Sequence, residues 1–424
     1  MERKLFSKDF LLVVAGQIVS LFGNAAIRFA LPLYLLNLTG SAALYGMVTA
    51  CAFLPAVILS PFGGMIADRV NKRNIMVALD FFTAAVLFVF FVLSSSGGLS
   101  SGDGLVVLLT VTLMVLYGIA GAYQPAVQAS VPALLGREHL MAGNSVINVV
   151  NSLASLLGPV LGGILYSAYG LRPVLILCVA CFFLSAVMEC FIRIPQEKRV
   201  RNGAFLEMVR RDFSESFRFM RKEKPMVGKA ILAAFGLNLF LSAMLMVGIP
   251  YLVTEVLLLE PALANRLCGF AQGSLAAGGL AGGILVGIFG RRLEIGKAGR
   301  LLMICGAGVF PIAGALCFLS SAMAIFLVIA VCSFVVVLSA TMFTVQIMSF
   351  VQAETPPALV GKVIALIMAV SMCAQPLGSG LYGFLFEALE GLSFVVVLFS
   401  GVCSFLVAVF TRKVFREFCP SGKV

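Results

Sequence analysis

An all-α membrane protein, with twelve transmembrane helices in two six-helix pseudo-repeats, is the fold this sequence predicts. Three observations carry the prediction. Of the 424 residues, 61% are hydrophobic and 12% charged, against roughly 45–50% and 25% in a soluble domain, and the mean hydropathy is +1.08. The apolar residues fall in twelve runs, and a helix needs about 20 such residues to cross a bilayer core. The basic residues gather in alternate turns between the runs. No soluble core hides such an apolar excess, so cytosolic enzymes and nucleic-acid binders are excluded despite a net charge of +11.

The first run, 10–36, follows Met1 to Asp9 and is too long for the apolar stretch of a signal peptide, so it is expected to remain as an anchor. The second, 42–66, leads into the basic turn of Arg69, Lys72 and Arg73. The third and fourth, 74–96 and 104–130, are joined across Asp103, and Arg137 follows the fourth. The fifth and sixth, 142–168 and 171–192, precede a charged segment. The seventh and eighth, 227–253 and 264–290, are separated by Glu255 and Glu260, after which come Arg291, Arg292, Lys297 and Arg300. The ninth to twelfth occupy 300–319, 322–350, 362–386 and 392–411, and the tail carries Arg412, Lys413, Arg416 and Lys423. Lys and Arg concentrate on the cytoplasmic side of membrane proteins, so this distribution predicts a multi-pass protein of the inner (cytoplasmic) cell membrane with both termini inside. The positive charge is thus a mark of topology.

Arg193 to Lys224 is the one long polar segment, with ten basic and five acidic residues. Within it Phe205, Val209, Phe213, Phe217 and Met220 recur at helical spacing, which reads as an amphipathic helix on the inner membrane surface or as a solvated linker. The expected organisation is a six-helix bundle over 1–192, a cytoplasmic linker with its amphipathic helix over 193–226, and a second bundle over 227–424. Faint self-similarity supports the division: Gly158-Pro159-Val160-Leu161-Gly162-Gly163 stands 217 residues before Gln375-Pro376-Leu377-Gly378-Ser379-Gly380, and Gln128 stands 218 before Gln346. Repeats around a midplane site are the usual build of a secondary transporter.

Polar groups at membrane depth are costly and mark function by default. Arg28 lies some 18 residues into the first run, about 27 Å along a helix, with Asn24 one turn below it. It reads either as a hook for an anion or carbonyl in a cavity, or as a side chain snorkelling to the outer interface or pairing structurally. Asn144, Asn148, Asn151, Ser152 and Ser155 share one helix face in the fifth run, and Gln124 and Gln128 pair in the fourth. Asn238 and Gln272 are lone amides suited to interhelical hydrogen bonds. Asp80 lies two turns beyond Arg73, and Glu189 one turn before Arg193. For both, a structural ion pair stands beside a role in proton coupling.

Several chemistries lack their parts. No phosphate-binding GxxxxGK[ST] occurs, and the GxGxxG from Gly378 to Gly383 lies inside an apolar run with no preceding strand. The eleven cysteines are scattered, Cys178 and Cys181 among apolar neighbours, and His139 is the single histidine. Neither a disulfide framework nor a metal site is expected, and no ATP, nucleic acid or other cofactor.

The segment from Gly64 through Asp68 and Arg69 to Arg73 resembles the GxxxDRxxRR signature of the major facilitator superfamily, in the same place between the second and third helices. That resemblance implies a cytoplasmic latch with Gly64, Asp68, Arg69 and Arg73 as gating residues. Gly158, Pro159, Gly162 and Gly163 resemble the GPxxGG motif on the fifth helix of superfamily antiporters, where proline and glycines bend the helix and seal the halves. The start, Gly16-Gln17 through Asn24 to Ala30-Leu31-Pro32, is similar to the bacterial multidrug and macrolide-efflux branch. Asn24 stands where those exporters commonly carry an aspartate, so that position offers no carboxyl for coupling. Ala154 replaces a glycine, and Gly290 to Glu294 is only a remnant of the latch.

The resemblance implies a secondary transporter, not an enzyme, that exports a small amphiphilic, drug- or macrolide-like compound by alternating access, driven by protons. Asn24, Arg28, Gln124, Gln128, Asn148 and Asn151 are its expected substrate-binding residues, and Asp80 and Glu189 its proton-coupling candidates. Its partners would be the substrate, protons and the lipid bilayer, with the chain a monomer. Two alternatives stand beside this: an uptake permease for a small organic anion or nutrient, and a non-transporting membrane sensor or lipid-modifying enzyme.

Overall fold

The computed structural model describes residues 7–69, 71–95, 102–135, 140–194, 215, 218, 220–221, 224–289 and 298–418. Among them there is no strand, and twelve helices are long and apolar enough to cross a membrane. In chain order they are α1 Lys8–Thr39, α2 Ala42–Arg69, α3 Lys72–Ser95, α4 Asp103–Leu134, α5 Leu140–Tyr169 and α6 Leu171–Cys190. After the polar segment come α7 Pro225–Val256, α8 Pro261–Phe289, α9 in two pieces (Ala298–Ala307 and Phe310–Phe318), α10 Ala322–Glu354, α11 Pro357–Ala388 and α12 Ser393–Phe418. A helix satisfies its own backbone within the segment, which is why uninterrupted apolar runs resolve into helices in lipid. Their ends follow local chemistry: Ser7 accepts a hydrogen bond from the Phe10 amide at 3.3 Å to cap α1, and Gly40, at φ 63°, closes it.

The contacts divide the chain into two compact units, Met1–Val200 with Glu260–Gly273, and Arg201–Leu259 with Ser274–Val424. The first part of α8 therefore counts with α1–α6. In the first unit α1 packs on α5 and α6, α2 on α4, and α3 on α6. In the second, α7 packs on α11 and α12, and α9 on α12. There α8 lies on α10, so close that a Cβ added to Gly278 would come 2.4 Å from the Phe334 carbonyl. The same pairings thus recur six helices later. The internal prolines repeat too: Pro32 in α1 matches Pro250 in α7, and Pro159 in α5 matches Pro376 in α11.

One difference breaks the likeness. Helix α1 is regular throughout, whereas α7 contains two π-helical turns, Asn238–Ser242 and Leu252–Val256. Within the first of them the Phe240 carbonyl accepts two hydroxyls, Tyr382 Oη at 2.7 Å and Ser400 Oγ at 2.6 Å. Widened turns expose backbone acceptors, and inside a bundle neighbouring side chains must satisfy them.

Of the expected amphipathic helix only Glu215, Arg218, Met220 and Arg221 are described. Met220 is buried, Arg218 is exposed, and Glu215 pairs with Lys362 at 2.7 Å. Residues 290–297 and His139 lie outside the described residues.

Candidate functional site

The polar stripe on α5 builds the first part of the site. Asn144, Asn148 and Ser155 are exposed and Asn151 is half-buried, and successive steps of 100° bring all four to one face. Val149, Leu153 and Leu157 are exposed on the opposite face, at 56%, 47% and 44%. Ile147, Val150 and Ala154 are buried between. A helix with two open faces, one apolar and one rich in amides, meets lipid on the first and needs water or a ligand on the second. The polar face is closed further along the helix. Gly158 and Gly162 meet Ala25 and Ala26 of α1, where a Cβ on Gly158 would fall 2.2 Å from the Ala25 Cβ. Gly163 abuts Gly269 of α8, and a Cβ on Gly269 would lie 2.7 Å from the Pro159 carbonyl. Gly158, Gly162 and Gly163 therefore let α5 pack closely on α1 and on the start of α8, with the Pro159 carbonyl against Gly269.

The second part is the stripe on α1. The guanidinium carbon of Arg28 sits 3.4 Å from the centroid of the Tyr117 ring on α4, and Tyr117 meets Phe53 edge to face at 4.7 Å. A cation over an aromatic face is held by the ring quadrupole. Arg28 is therefore gathered inward onto α4, which corrects the snorkelling alternative. Asn24, one turn below, is half-buried with an unpartnered amide oxygen. Gln124 is half-buried and Gln128 exposed on α4.

Deeper in the first unit lies a hydrogen-bonded network that the sequence only half announced. Gln17 Nε2 donates to Tyr123 Oη at 2.6 Å, and Tyr123 Oη donates to Glu189 Oε1 at 2.7 Å. Ser20 Oγ donates to Asp80 Oδ1 at 3.1 Å, and Ser185 Oγ donates to the Gly16 carbonyl at 3.1 Å. Asp80 is 2% exposed and Glu189 fully buried. The ion pairs expected for these acids are corrected. Arg73 donates its Nη2 to the Cys190 carbonyl at the end of α6, and the Arg193 backbone amide donates to Asp9 at 3.0 Å. The Arg73 guanidinium is drawn to the end of α6, where a free carbonyl attracts a donor more readily than Asp80, two turns inside the apolar bundle, does. Gln17 and Ser20 were missed as site residues. Their signal was the spacing from Gln17 to Ser20 to Asn24 to Arg28 on one helix.

For the expected latch, Arg73 is the one side chain described, and its partner is a carbonyl of α6 within the same unit. The backbones of Gly64, Asp68 and Arg69 belong to α2, and their side chains lie outside the described residues. Asn238, expected to bridge helices, donates instead to the Ala234 carbonyl of its own helix at 2.9 Å. An amide four residues after a carbonyl exposed near a π turn meets it without leaving its helix. Gly378 presses on α7, where an added Cβ would lie 2.5 Å from the Leu239 carbonyl, so its GxGxxG is a helix contact. A further group absent from the sequence reading joins α1, α5 and the start of α8. Asn37 donates to Asn265 Oδ1 at 2.7 Å and to Tyr166 at 3.3 Å, and Ser167 donates to the Ala262 carbonyl at 2.6 Å.

Among known proteins, a family model described as Major Facilitator Superfamily matches residues 13–379. Macrolide efflux protein A of Streptococcus pyogenes is 24% identical over 379 residues, which is 87% of each chain. Multidrug resistance protein MdtG of Enterobacter lignolyticus is 30% identical over 169 residues, 38% of each chain. Among solved structures, a bacterial homologue of the human lysosomal transporter Spinster superposes with a TM-score of 0.73 over 99% of this chain and 98% of its own, at 15% identity. That likeness concerns the fold alone.

Proposed function

Because the chain belongs to the Major Facilitator Superfamily and is a membrane transporter, we propose that it exports a small amphiphilic compound of macrolide-like size and polarity by alternating access, driven by a proton gradient. The observation that carries this reading is the second open face of α5. Amides exposed on one side of a helix whose other side meets lipid need a wet hollow, and the hollow is the path of a polar solute. Asn148, Asn151, Gln124 and Gln128 supply hydrogen bonds there, with Asn24 and Arg28 at its sealed end. Arg28, stacked on Tyr117, offers N–H donors to a carbonyl or carboxylate of the solute. The names of the efflux relatives support the direction and the compound class. In this reading 1–192 and 227–424 are the two halves that rock, 193–226 joins them, both termini lie in the cytoplasm of a bacterial cell, and the chain works as a monomer. Gly64, Asp68, Arg69 and Arg73 latch one side of the cavity, and Gly158 to Gly163 the other.

The test is transport of a radiolabelled macrolide into inverted proteoliposomes under an imposed pH gradient. Wild-type protein accumulates it, and Arg28→Ala falls to the level of protein-free vesicles while keeping the wild-type melting temperature. Accumulation by Arg28→Ala equal to wild type removes Arg28 from the site. A second reading, uptake of a small organic anion, is favoured by the charge of Arg28. It predicts accumulation of such an anion in right-side-out vesicles and none of the macrolide in inverted ones.

A further inference from the structure

Helix α11, in the second unit, lines up a set of side chains along its length. Steps of about 100° per residue bring Met368, Met372, Gln375, Ser379, Tyr382 and Phe386 to a single face. The later part of that face is closed. Ser379, Tyr382 and Phe386 are fully buried. Tyr382 Oη donates to the Phe240 carbonyl of α7 at 2.7 Å, and the Phe386 ring lies 5.2 Å from that of Tyr251, also on α7. The earlier part is open: Met368 is 51% exposed and Met372 44%, with Gln375 half-buried at the boundary. The packed face of α11 therefore comes apart toward the start of the helix.

Contact with lipid does not account for this pattern. The lipid side of α11 is marked by Leu377 and Phe384, 61% and 65% exposed and on the opposite side of the helix from the line. Met368 and Met372 instead continue an interface that is packed on α7 further along, so they border a cleft that opens from it. The amide of Gln375 shares their face, and its Nε2 donates to the Met246 Sδ of α7 at 3.1 Å. A thioether is a weak acceptor, so this donor gains by exchanging it for an oxygen. The repeat gives an independent sign. The offset of 217 residues that takes Gly158 to Gln375 takes Asn151 to Met368 and Ser155 to Met372. The stripe that is amide and hydroxyl on α5 is thioether on α11.

We infer that Met368 and Met372 bind the apolar part of the exported solute, with Gln375 as a hydrogen-bond donor beside them. This rests on the export function proposed above and adds a requirement to the solute's class: besides oxygens for the amides of α5, it carries a bulky apolar surface. Apolar side chains that face water in a cleft are stabilised when an apolar surface covers them. Methionine is unbranched, flexible and polarizable, and so moulds itself to apolar shapes that differ in outline. The pair therefore selects lipophilic solutes of varied shape over compact hydrophilic ones.

The experiment uses the full chain in lipid, with its methionine methyl groups labelled for NMR and the signals of Met368 and Met372 assigned through Met368→Leu and Met372→Leu. A water-soluble gadolinium chelate is expected to broaden both signals, a nitroxide on the lipid tails to leave them sharp, and a macrolide to shift them. In the vesicle assay, the double variant Met368→Gln with Met372→Gln is expected to raise the half-saturating macrolide concentration about tenfold; if it does not fold, the wild-type spectra decide. Signals that are broadened from the lipid, or that stay in place while the same preparation accumulates macrolide, overturn the inference and leave the export function standing. So does a double variant with the wild-type half-saturating concentration. Water-exposed signals that shift with macrolide in a preparation that accumulates none refute the export function and keep the binding face. Neither shift nor accumulation refutes both.

Discussion

Helices α1 and α7 hold the same place in the two units, each packed on the fifth and sixth helices of its own half, yet they are built for different work. Helix α1 is a regular rod that brings Gln17, Ser20, Asn24 and Arg28 to its polar side. Helix α7 carries no such stripe. It is loosened by two π turns, and its freed carbonyl at Phe240 is held by Tyr382 and Ser400. The contrast extends through the units. Among the described residues the two buried acids, Asp80 and Glu189, both belong to the first, whereas the buried polar side chains of the second are serines and threonines with Gln346. Hydroxyls can bond to the backbone of their own helix and ask for little from neighbours. Carboxyls cannot donate when ionised and depend on their surroundings. Among the described residues the duplicated fold has therefore gathered its buried acids in one half and its π turns in the seventh helix of the other.

The sharpest way to break this comparison is at a close glycine contact in each half, Gly158 of α5 against α1 and Gly378 of α11 against α7. Gly158→Val and Gly378→Val each push a branched side chain into a helix whose atoms already lie 2.2 Å and 2.4 Å from an ideal Cβ. Overpacking of this kind costs about 1–3 kcal/mol and occasionally more, so both variants are expected to lose much of their folded protein in size-exclusion profiles. A monodisperse, fully stable Gly158→Val would show that α1 and α5 are not in backbone contact. Next in size is Ser20→Ala, which leaves Asp80 Oδ1 without its donor and is expected to cost about 1–3 kcal/mol in thermal unfolding. Tyr382→Phe and Ser400→Ala should each cost only about 0.5–1.5 kcal/mol, because the other hydroxyl still bonds the Phe240 carbonyl, and the double variant should cost more than their sum. Additive losses would mean that the two hydroxyls do not share that acceptor. The smallest effect is expected for Ser404→Ala, whose buried hydroxyl has no partner; the change should be neutral or stabilising, within about 0.5 kcal/mol.

Much of this molecule is legible in its residues. The run expected at 74–96 is the helix Lys72–Ser95, and that at 322–350 is Ala322–Glu354, because in a bilayer an apolar stretch has no option but to satisfy its own backbone. The amide stripe of α5 was equally readable, since a period of 3.6 residues decides which side chains share a face. Asp80 and Glu189 are a different case. Their neighbours in sequence, Arg73 and Arg193, suggested ion pairs, and proximity along one helix was the wrong guide. Each acid is met by a hydroxyl from another helix, Ser20 or Tyr123, that lies tens of residues away.

The sequence by itself determined the number of helices, their lengths, the basic pattern of their turns and the doubling of the chain, all of which follow from hydrophobic length and local periodicity. Tertiary structure alone decided which side of each helix meets lipid, that Arg28 rests on Tyr117, and that Gln17, Asp80, Tyr123 and Glu189 converge. The physical reason is that those choices depend on contacts between helices far apart in the chain, which no spacing within a single helix encodes.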